Sequence, residues 1–285
     1  MVWNSQCDQS LRFTASELEV SRKYIWDETS KNQLLAFLDA KPGSSVLDVG
    51  CGTGFLIRQI AANIEWGNLV GLDMDLDLLA TAREQSVGTS IQYVYGNAYS
   101  LPLEDNSFDL VAAEFLICNL EMPLLAIREM VRVVRSGGRV VCIDPPSAQR
   151  FFYSPFMPDE IQQVEHVVNG YIAEKSLEKG VDKSIGIRLP HLFLKAGLTS
   201  IRARGYLNVK LECQAESLVA VRTRAGHQLQ MLERQERRLE SVVRAGVISA
   251  EQAERYIDFW RKRRSAVLED PSLALVIRLV ICRLA

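Results

Sequence analysis

Histidine is scarce in this sequence. Three occur in 285 residues, and none of His166, His191 and His227 falls in a catalytic motif, so a histidine-centred general base is not the chemistry the chain advertises. Cys7, Cys51, Cys118, Cys142, Cys213 and Cys282 lie far apart without a C-x-x-C pair. That excludes a zinc ribbon and a dithiol redox motif, predicts no metal site, and leaves reduced, mostly buried thiols. No run approaches the roughly 18 uninterrupted apolar residues of a membrane span, and the first residues have neither the basic nor the apolar region of a secretory signal. A soluble, cytoplasmic protein is the expectation. An excess of one charge is also missing, with 33 Lys and Arg against 35 Asp and Glu. The balance is uneven along the chain, however: residues 201–285 hold 16 basic and 10 acidic side chains. Because those basic residues alternate with Glu233, Glu236 and Glu240 on an expected helix, they read as a solvated helical face. An anionic partner would instead require a continuous positive face.

What is present is the composition of a folded protein, 48% hydrophobic and 24% charged, long enough for a sizeable core. The first half alternates short apolar runs with amphipathic segments, the pattern of parallel strands joined by crossover helices. Strands are predicted at Ser45–Val49, Asn68–Leu72, Ile91–Tyr95, Phe108–Ala113 and Arg139–Asp144, with helices between them. The expected fold is an open, doubly wound α/β sheet whose ligands sit beyond the carboxyl ends of the strands. After Pro145-Pro146 come an aromatic stretch, Phe151 to Phe156, and a helix carrying Ile161, Val164 and Val168. A second helix runs over about 184–196, and a strand over about 199–210. A long charged helix is expected over about 215–244, a capping box at Ser249-Ala-Glu-Gln252 opens another, and residues 273–283 close the chain as a strand.

The most informative segment is Val46-Leu-Asp-Val-Gly50-Cys-Gly52-Thr-Gly54-Phe-Leu56, a strand entering a glycine loop and then a helix. Glycines allow the turn and bring backbone N–H groups up to a ligand, and the helix start adds partial positive charge. Phe55 stands where a dinucleotide fingerprint places its third glycine, which counts against a pyrophosphate grip. Asp48 would face phosphate badly but suits a ligand bearing an ammonium group. Nineteen residues after Gly54, Asp73 ends the second strand, where an acid can accept from both hydroxyls of a ribose. The ligand is thus expected to contain adenosine.

As an ordered set, these segments resemble the class I S-adenosylmethionine (SAM) dependent methyltransferases, in particular the type 11, ubiquinone-biosynthesis-like group. The resemblance covers about residues 40–145 and rests on Val46–Leu56, Gly71-Leu-Asp73, Gly96-Asn-Ala-Tyr-Ser-Leu-Pro102, Phe108-Asp-Leu-Val111 and Gly137-Gly138. Leu189-Pro-His191 to Leu198 resembles the segment before the sixth strand more loosely. It implies a Rossmann-like seven-stranded sheet, last strand antiparallel, with an α-helical cap. Four segments follow: an N-terminal helical lid (1–40), a SAM-binding core (41–145), cap helices (146–198), and two final strands (199–285) with inserted helices over about 211–270 completing the cap.

The resemblance further implies that Gly50, Cys51 and Gly52 line the methionine part of SAM with Asp48 supporting the loop. Asp73 would hold the ribose, Met74 would pack on adenine, and Asn97 and Ala98 would contact its edge. Many relatives carry Asp where this chain has Asn97, and an amide oxygen could still accept from the adenine amino group. After the fourth strand, where relatives often show paired histidines, this chain reads Glu114-Phe-Leu-Ile-Cys-Asn119. Glu114 is therefore the candidate for contact with the SAM amino group or for a catalytic role, with Asp144 behind it. Tyr24, Trp26, Phe151, Phe152 and Tyr153 are candidate acceptor contacts, although each could equally be a hydrophobic anchor. The expected acceptor is a small or medium apolar metabolite. The alternatives are an RNA or protein methyltransferase docking through the basic C-terminal helices, or a protein that binds SAM without transferring its methyl.

Overall fold

A computed structural model describes residues 14–26, 28–63, 67–144, 151–153, 158–208, 235–269 and 277–284. The chain divides into two compact units. The larger comprises Ser21–Ala148, Ser176–Asn208 and Val280–Ala285; the smaller comprises Met1–Val20, Gln149–Lys175 and Val209–Leu279.

The larger unit is built on five parallel strands: β1 (Val46–Val49), β2 (Leu69–Asp73), β3 (Gln92–Tyr95), β4 (Phe108–Glu114) and β5 (Val134–Asp144). Their order is β3-β2-β1-β4-β5. Every residue of β1 is buried, as expected of a parallel strand covered on both faces. The side-chain period of two then sorts the sheet into two cores. Leu47, Val49, Val111, Ala113 and Cys142 pack on one face. Val46, Leu69, Leu110, Ala112, Val141 and Ile143 pack on the other.

Helix α5 (Pro123–Val133) covers the first face with Ala126, Ile127, Met130 and Val133, which recur at helical spacing, and starts on proline, where a missing N–H costs nothing. Helices α2 (Glu28–Leu38) and α3 (Phe55–Ala61) cover the second, with Leu34, Leu38, Leu56, Ile57 and Ile60. The last turn of α1 (Ala15–Ile25) leads to Trp26, buried in the same layer. Helix α4 (Leu76–Gln85) opens on Asp75, whose carboxylate accepts from the Asp77 and Leu78 amides at 3.0 and 3.2 Å.

Residues 21–38, expected in a separate lid, thus belong to this unit because Trp26, Leu34 and Leu38 fill its second core. The expected cap of 146–198 is divided at 175/176. Helix α7 (Leu189–Lys195) and the 3-10 turn at Ile185–Ile187 bury Ile185, Leu189 and Phe193 in the first core instead of roofing it. Beyond β5, residues 280–284 of β8 (Ile277–Leu284) run antiparallel to β7 (Arg204–Asn208) and, at Ile143 and Asp144, to β5.

In the smaller unit, α6 (Asp159–Glu178), helix α8 over 235–244 and α9 (Ala250–Glu269) close on Ile161, Val164, Val168, Leu239, Val242, Ile248, Tyr256 and Ile257. The predicted capping box forms reciprocally: the Ser249 amide donates to Gln252 Oε1 at 2.9 Å, and the Gln252 amide to Ser249 Oγ at 3.1 Å. Half-buried Arg238 donates to Asn169 and Gln235, both at 2.9 Å, and Tyr256 donates to Glu165. Phe151–Tyr153, whose residue types favour strands, form β6 and pair antiparallel with Ile277–Leu279. The N-terminal part of the expected charged helix, 215–234, lies outside the described residues. Among the described residues no helix is long and apolar enough to cross a membrane.

Candidate functional site

At the carboxyl edge of the sheet, β1 gives way to Gly50, Gly52 and Gly54, all in the left-handed region with φ of 70°, 53° and 76°. Gly54 caps α3 in that conformation, and a Cβ there would fall on the Tyr93 hydroxyl, so the loop can follow this course only with glycine. The Gly50 and Cys51 amides both donate to the Leu72 carbonyl, at 2.7 and 3.0 Å, which fastens the loop to β2.

Asp73 binds the next part of the loop. Its Oδ2 accepts from the Gly52 amide at 2.8 Å, and its Oδ1 from the Asp75 amide at 2.9 Å. Burial raises its pKa from the ordinary value, against the pull of these amide bonds. The carboxylate is thereby locked in direction while each oxygen keeps a lone pair for a hydroxyl. Its backbone carbonyl takes the Gly96 amide at 3.0 Å, bringing the Gly96–Asn97 turn beside it. The amide oxygen of Asn97 accepts from the Tyr99 N–H at 2.9 Å, so one of its lone pairs is spent inside the turn. Ala98 packs partly into the first core, and Met74 is 36% exposed beside Asp73.

Asp48 carries the clearest sign of a missing partner. It is 1% exposed, and neither carboxylate oxygen has a hydrogen bond. Burial first, then Glu114 and Asp73, push its pKa well above the carboxylate range, against a smaller opposing pull from the nearby Ile57 amide and Arg22. A buried carboxyl without a partner is costly, and an incoming ammonium would relieve it. The acids and glycine loop therefore fit a ligand with a ribose at one end and an amino group at the other. Cys51, within the loop, is buried, and that burial pushes its thiol pKa up, which disfavours the thiolate.

Glu114 ends β4 on the Asp48 face, as the alternation through Leu110 and Ala112 requires. Its Oε1 accepts from Trp26 Nε1–H at 2.5 Å, and its Oε2 lies 3.3 Å from Arg22 Nε. The Arg22 guanidinium lies over the Phe115 ring, 4.4 Å from its centroid. Phe115 itself has a φ of 52°, an uncommon conformation for an aromatic residue and a mark of local strain. Sequence reasoning did not find Arg22 or Phe115. The i, i+4 spacing of Arg22 and Trp26 signalled a shared helix face, but nothing in it named the strand end that face meets.

Asp144, ending β5, points to the opposite face. One oxygen accepts from the Cys118 amide at 2.9 Å, the other has no partner, and burial pushes the pKa up to about 7. The structure brings together Asp48, Gly50, Cys51, Gly52, Asp73 and Glu114, with Trp26 bound to Glu114 and Met74, Asn97 and Ala98 alongside Asp73. The side chain of Tyr24, on α1, and those of Phe151, Phe152 and Tyr153, on β6, lie outside the described residues. His166 and His191 are exposed, and His227 lies outside the described residues.

Comparison with known proteins adds four findings. The family described as a methyltransferase domain matches residues 47–142. A demethylmenaquinone methyltransferase of Shouchella clausii is 29% identical over 206 residues, 67% of this chain and 84% of that protein. One of Bacillus cereus is 36% identical over 133 residues, 45% of this chain and 54% of that protein. The crystal structure of a SAM-dependent methyltransferase from Aquifex aeolicus superposes with a TM-score of 0.50 at 20% identity, covering 67% of this chain and 92% of that one; it bears on the fold alone.

Proposed function

Residues 47–142 are a SAM-dependent methyltransferase domain of the class I, type 11 group, and from that premise we propose that the chain methylates a small or medium apolar metabolite. The observation that carries this reading is the match to demethylmenaquinone methyltransferase across 84% of that relative. The acceptor class we infer is accordingly an aromatic, quinol-like molecule.

SAM supplies a methyl group on a sulfonium, and its transfer is an in-line displacement in which the sulfur loses its positive charge. The protein's part is to hold both reactants in line and exclude water. We assign the backbone of Gly50, Cys51 and Gly52 to the methionine portion and Asp48 to its ammonium. Asp73 takes the ribose hydroxyls, Met74 packs on adenine, and Asn97 with Ala98 reads its edge. Since the Asn97 oxygen already accepts from Tyr99, its NH₂ group is the more available donor toward a ring nitrogen. Both oxygens of Glu114 are engaged, by Trp26 and Arg22, which supports a role in binding and positioning over proton removal. Trp26 then orients Glu114, and Tyr24 is a candidate acceptor contact. Phe151, Phe152 and Tyr153 remain candidate acceptor contacts on the sequence reading.

We also read β1–β5, β8 and β7 as the family's seven-stranded sheet. The antiparallel pairing of residues 280–284 supports that reading. Against docking of RNA or protein through the basic helices stand the ion pairs there. Arg255 bonds Glu251, Arg261 bonds Glu236, and Lys262 bonds Asp258, so these charges are locally answered.

The test is transfer from methyl-labelled SAM into a cell extract separated into apolar small-molecule, RNA and protein fractions. Label should enter the apolar fraction. Label confined to RNA or protein would overturn the acceptor class, and tight SAM binding without any transfer would make the chain a binding protein.

A further inference from the structure

A cofactor with a free amino-acid end brings a carboxylate as well as an ammonium. Asp48, Asp73 and Glu114 all act on the space at the ends of β1, β2 and β4, with Glu114 and Asp73 both raising Asp48. Such a site welcomes the ammonium and repels the carboxylate. Placing the zwitterion there requires a cation on the far side, and the guanidinium that acts on both Asp48 and Glu114 is that of Arg22.

Three features of Arg22 fit this task. Its contact to Glu114 runs through Nε at 3.3 Å, longer than the roughly 2.7–2.9 Å of a well-made charge-assisted bond. Among the described residues, no side chain is bonded to its two Nη groups, the fork that matches a carboxylate in bidentate fashion. Yet the side chain is only 15% exposed, too sheltered for water to solvate it freely, and its flat face rests on Phe115. A sheltered guanidinium, fixed by stacking and only loosely paired, is preorganised for an anion it does not yet hold.

We propose that Arg22 receives the carboxylate of the cofactor's amino-acid end through its Nη groups, while Asp48 faces the ammonium and Glu114 and Phe115 hold the guanidinium in place. The inference rests on the cofactor reading above. It makes Arg22 a binding residue, and it means that the cofactor fastens the 21–26 segment to the sheet edge.

The test is calorimetric titration of the full chain with two ligands, S-adenosylhomocysteine and its decarboxylated counterpart, which keeps the adenosine, thioether and amine. The wild-type chain should favour the carboxylate-bearing ligand by about 10- to 100-fold, the range of a hydrogen bond to a charged group. Arg22→Gln should reduce that preference to about threefold or less, chiefly by weakening S-adenosylhomocysteine. Arg22→Lys, which keeps the charge and loses the fork, should fall between. Equal wild-type affinity for the two ligands would overturn the proposal without any variant. So would a preference that survives in Arg22→Gln, or a loss there that is equal for both ligands, the mark of a merely structural residue. Tight binding of S-adenosylhomocysteine with no carboxylate preference would leave the methyltransferase reading standing. Failure of both ligands to bind the wild-type chain would remove that reading, and the Arg22 assignment with it.

Discussion

The indole N–H of Trp26 donates to Glu114 at 2.5 Å, joining the residue that follows α1 to the end of β4 across 88 positions of sequence. Trp26 is also part of the core beneath α2 and α3, so one side chain is both packed and polar-anchored. Replacing it by Phe keeps most of the apolar bulk and removes the donor. Trp26→Phe should destabilise the chain by about 1–3 kcal/mol, the cost of leaving a buried charged acceptor short of a partner. Urea denaturation followed by circular dichroism reads this directly; an unchanged midpoint would mean that Glu114 is satisfied without the indole.

Asp73 is aimed by the amides of Gly52 and Asp75, and its remaining lone pairs are what a ribose diol would use. Asp73→Ala should weaken binding of S-adenosylhomocysteine by about 1–3 kcal/mol. Asp73→Asn should retain part of it, since the amide oxygen still accepts. Calorimetry that gives wild-type affinity for both variants would refute the ribose assignment.

Asp144 predicts a pH dependence whose sign follows from its raised pKa of about 7. Unfolded, an aspartate titrates near 3.9, so between about pH 4 and pH 7 the native chain holds a proton that the unfolded chain has released. The contribution of Asp144 to stability is complete below pH 4, declines as the pH rises through that window, and levels off above pH 7. Asp144→Asn keeps an oxygen for the Cys118 amide and carries no charge. The difference between variant and wild type, followed by urea denaturation from pH 5 to pH 8, should grow in the variant's favour with rising pH. A flat difference would show that Asp144 titrates like an exposed carboxylate.

Gly54 combines a left-handed φ with the Tyr93 hydroxyl where a Cβ would stand. Gly54→Ala should cost about 1–3 kcal/mol through strain and crowding together. Adding Tyr93→Phe removes the hydroxyl and should recover part of that loss, leaving the backbone term. Thermal melts of the single and double variants separate the two contributions; full additivity would mean that Tyr93 is not what the new methyl meets.

The five parallel strands were legible because each is a short apolar run between turn residues, and the glycine loop because its spacing has a mechanical meaning. The fate of Leu189–Lys195 was not legible. Leu189 and Phe193 recur at i and i+4 whether their helix roofs a cap or lies on a sheet, and only the tertiary partner decides. β6 was missed because an aromatic triplet serves a strand and a wall equally well. Asp48 and Asp73 could be picked from sequence since each sits at the end of an apolar strand beside the glycine loop. Arg22 could not, because its role depends on Glu114, 92 positions away.

The alternation along β4 also limits what insertions and deletions this edge can tolerate. Glu114 faces the Arg22 side and Ala113 the α5 side only because like-facing residues recur at every second position from Leu110 onward. Loss of a single residue within Leu110–Ala112, the regular stretch beyond the register shift at Phe108/Leu110, would turn the carboxylate into the packed layer beneath α5 and strand Arg22 without its anion. Loss of two would restore the facing while pulling the acid roughly 7 Å back along the strand. Length changes in β4 should therefore be purged even where its composition drifts, whereas the 115–122 connection can vary in length without reversing any side chain of the strand.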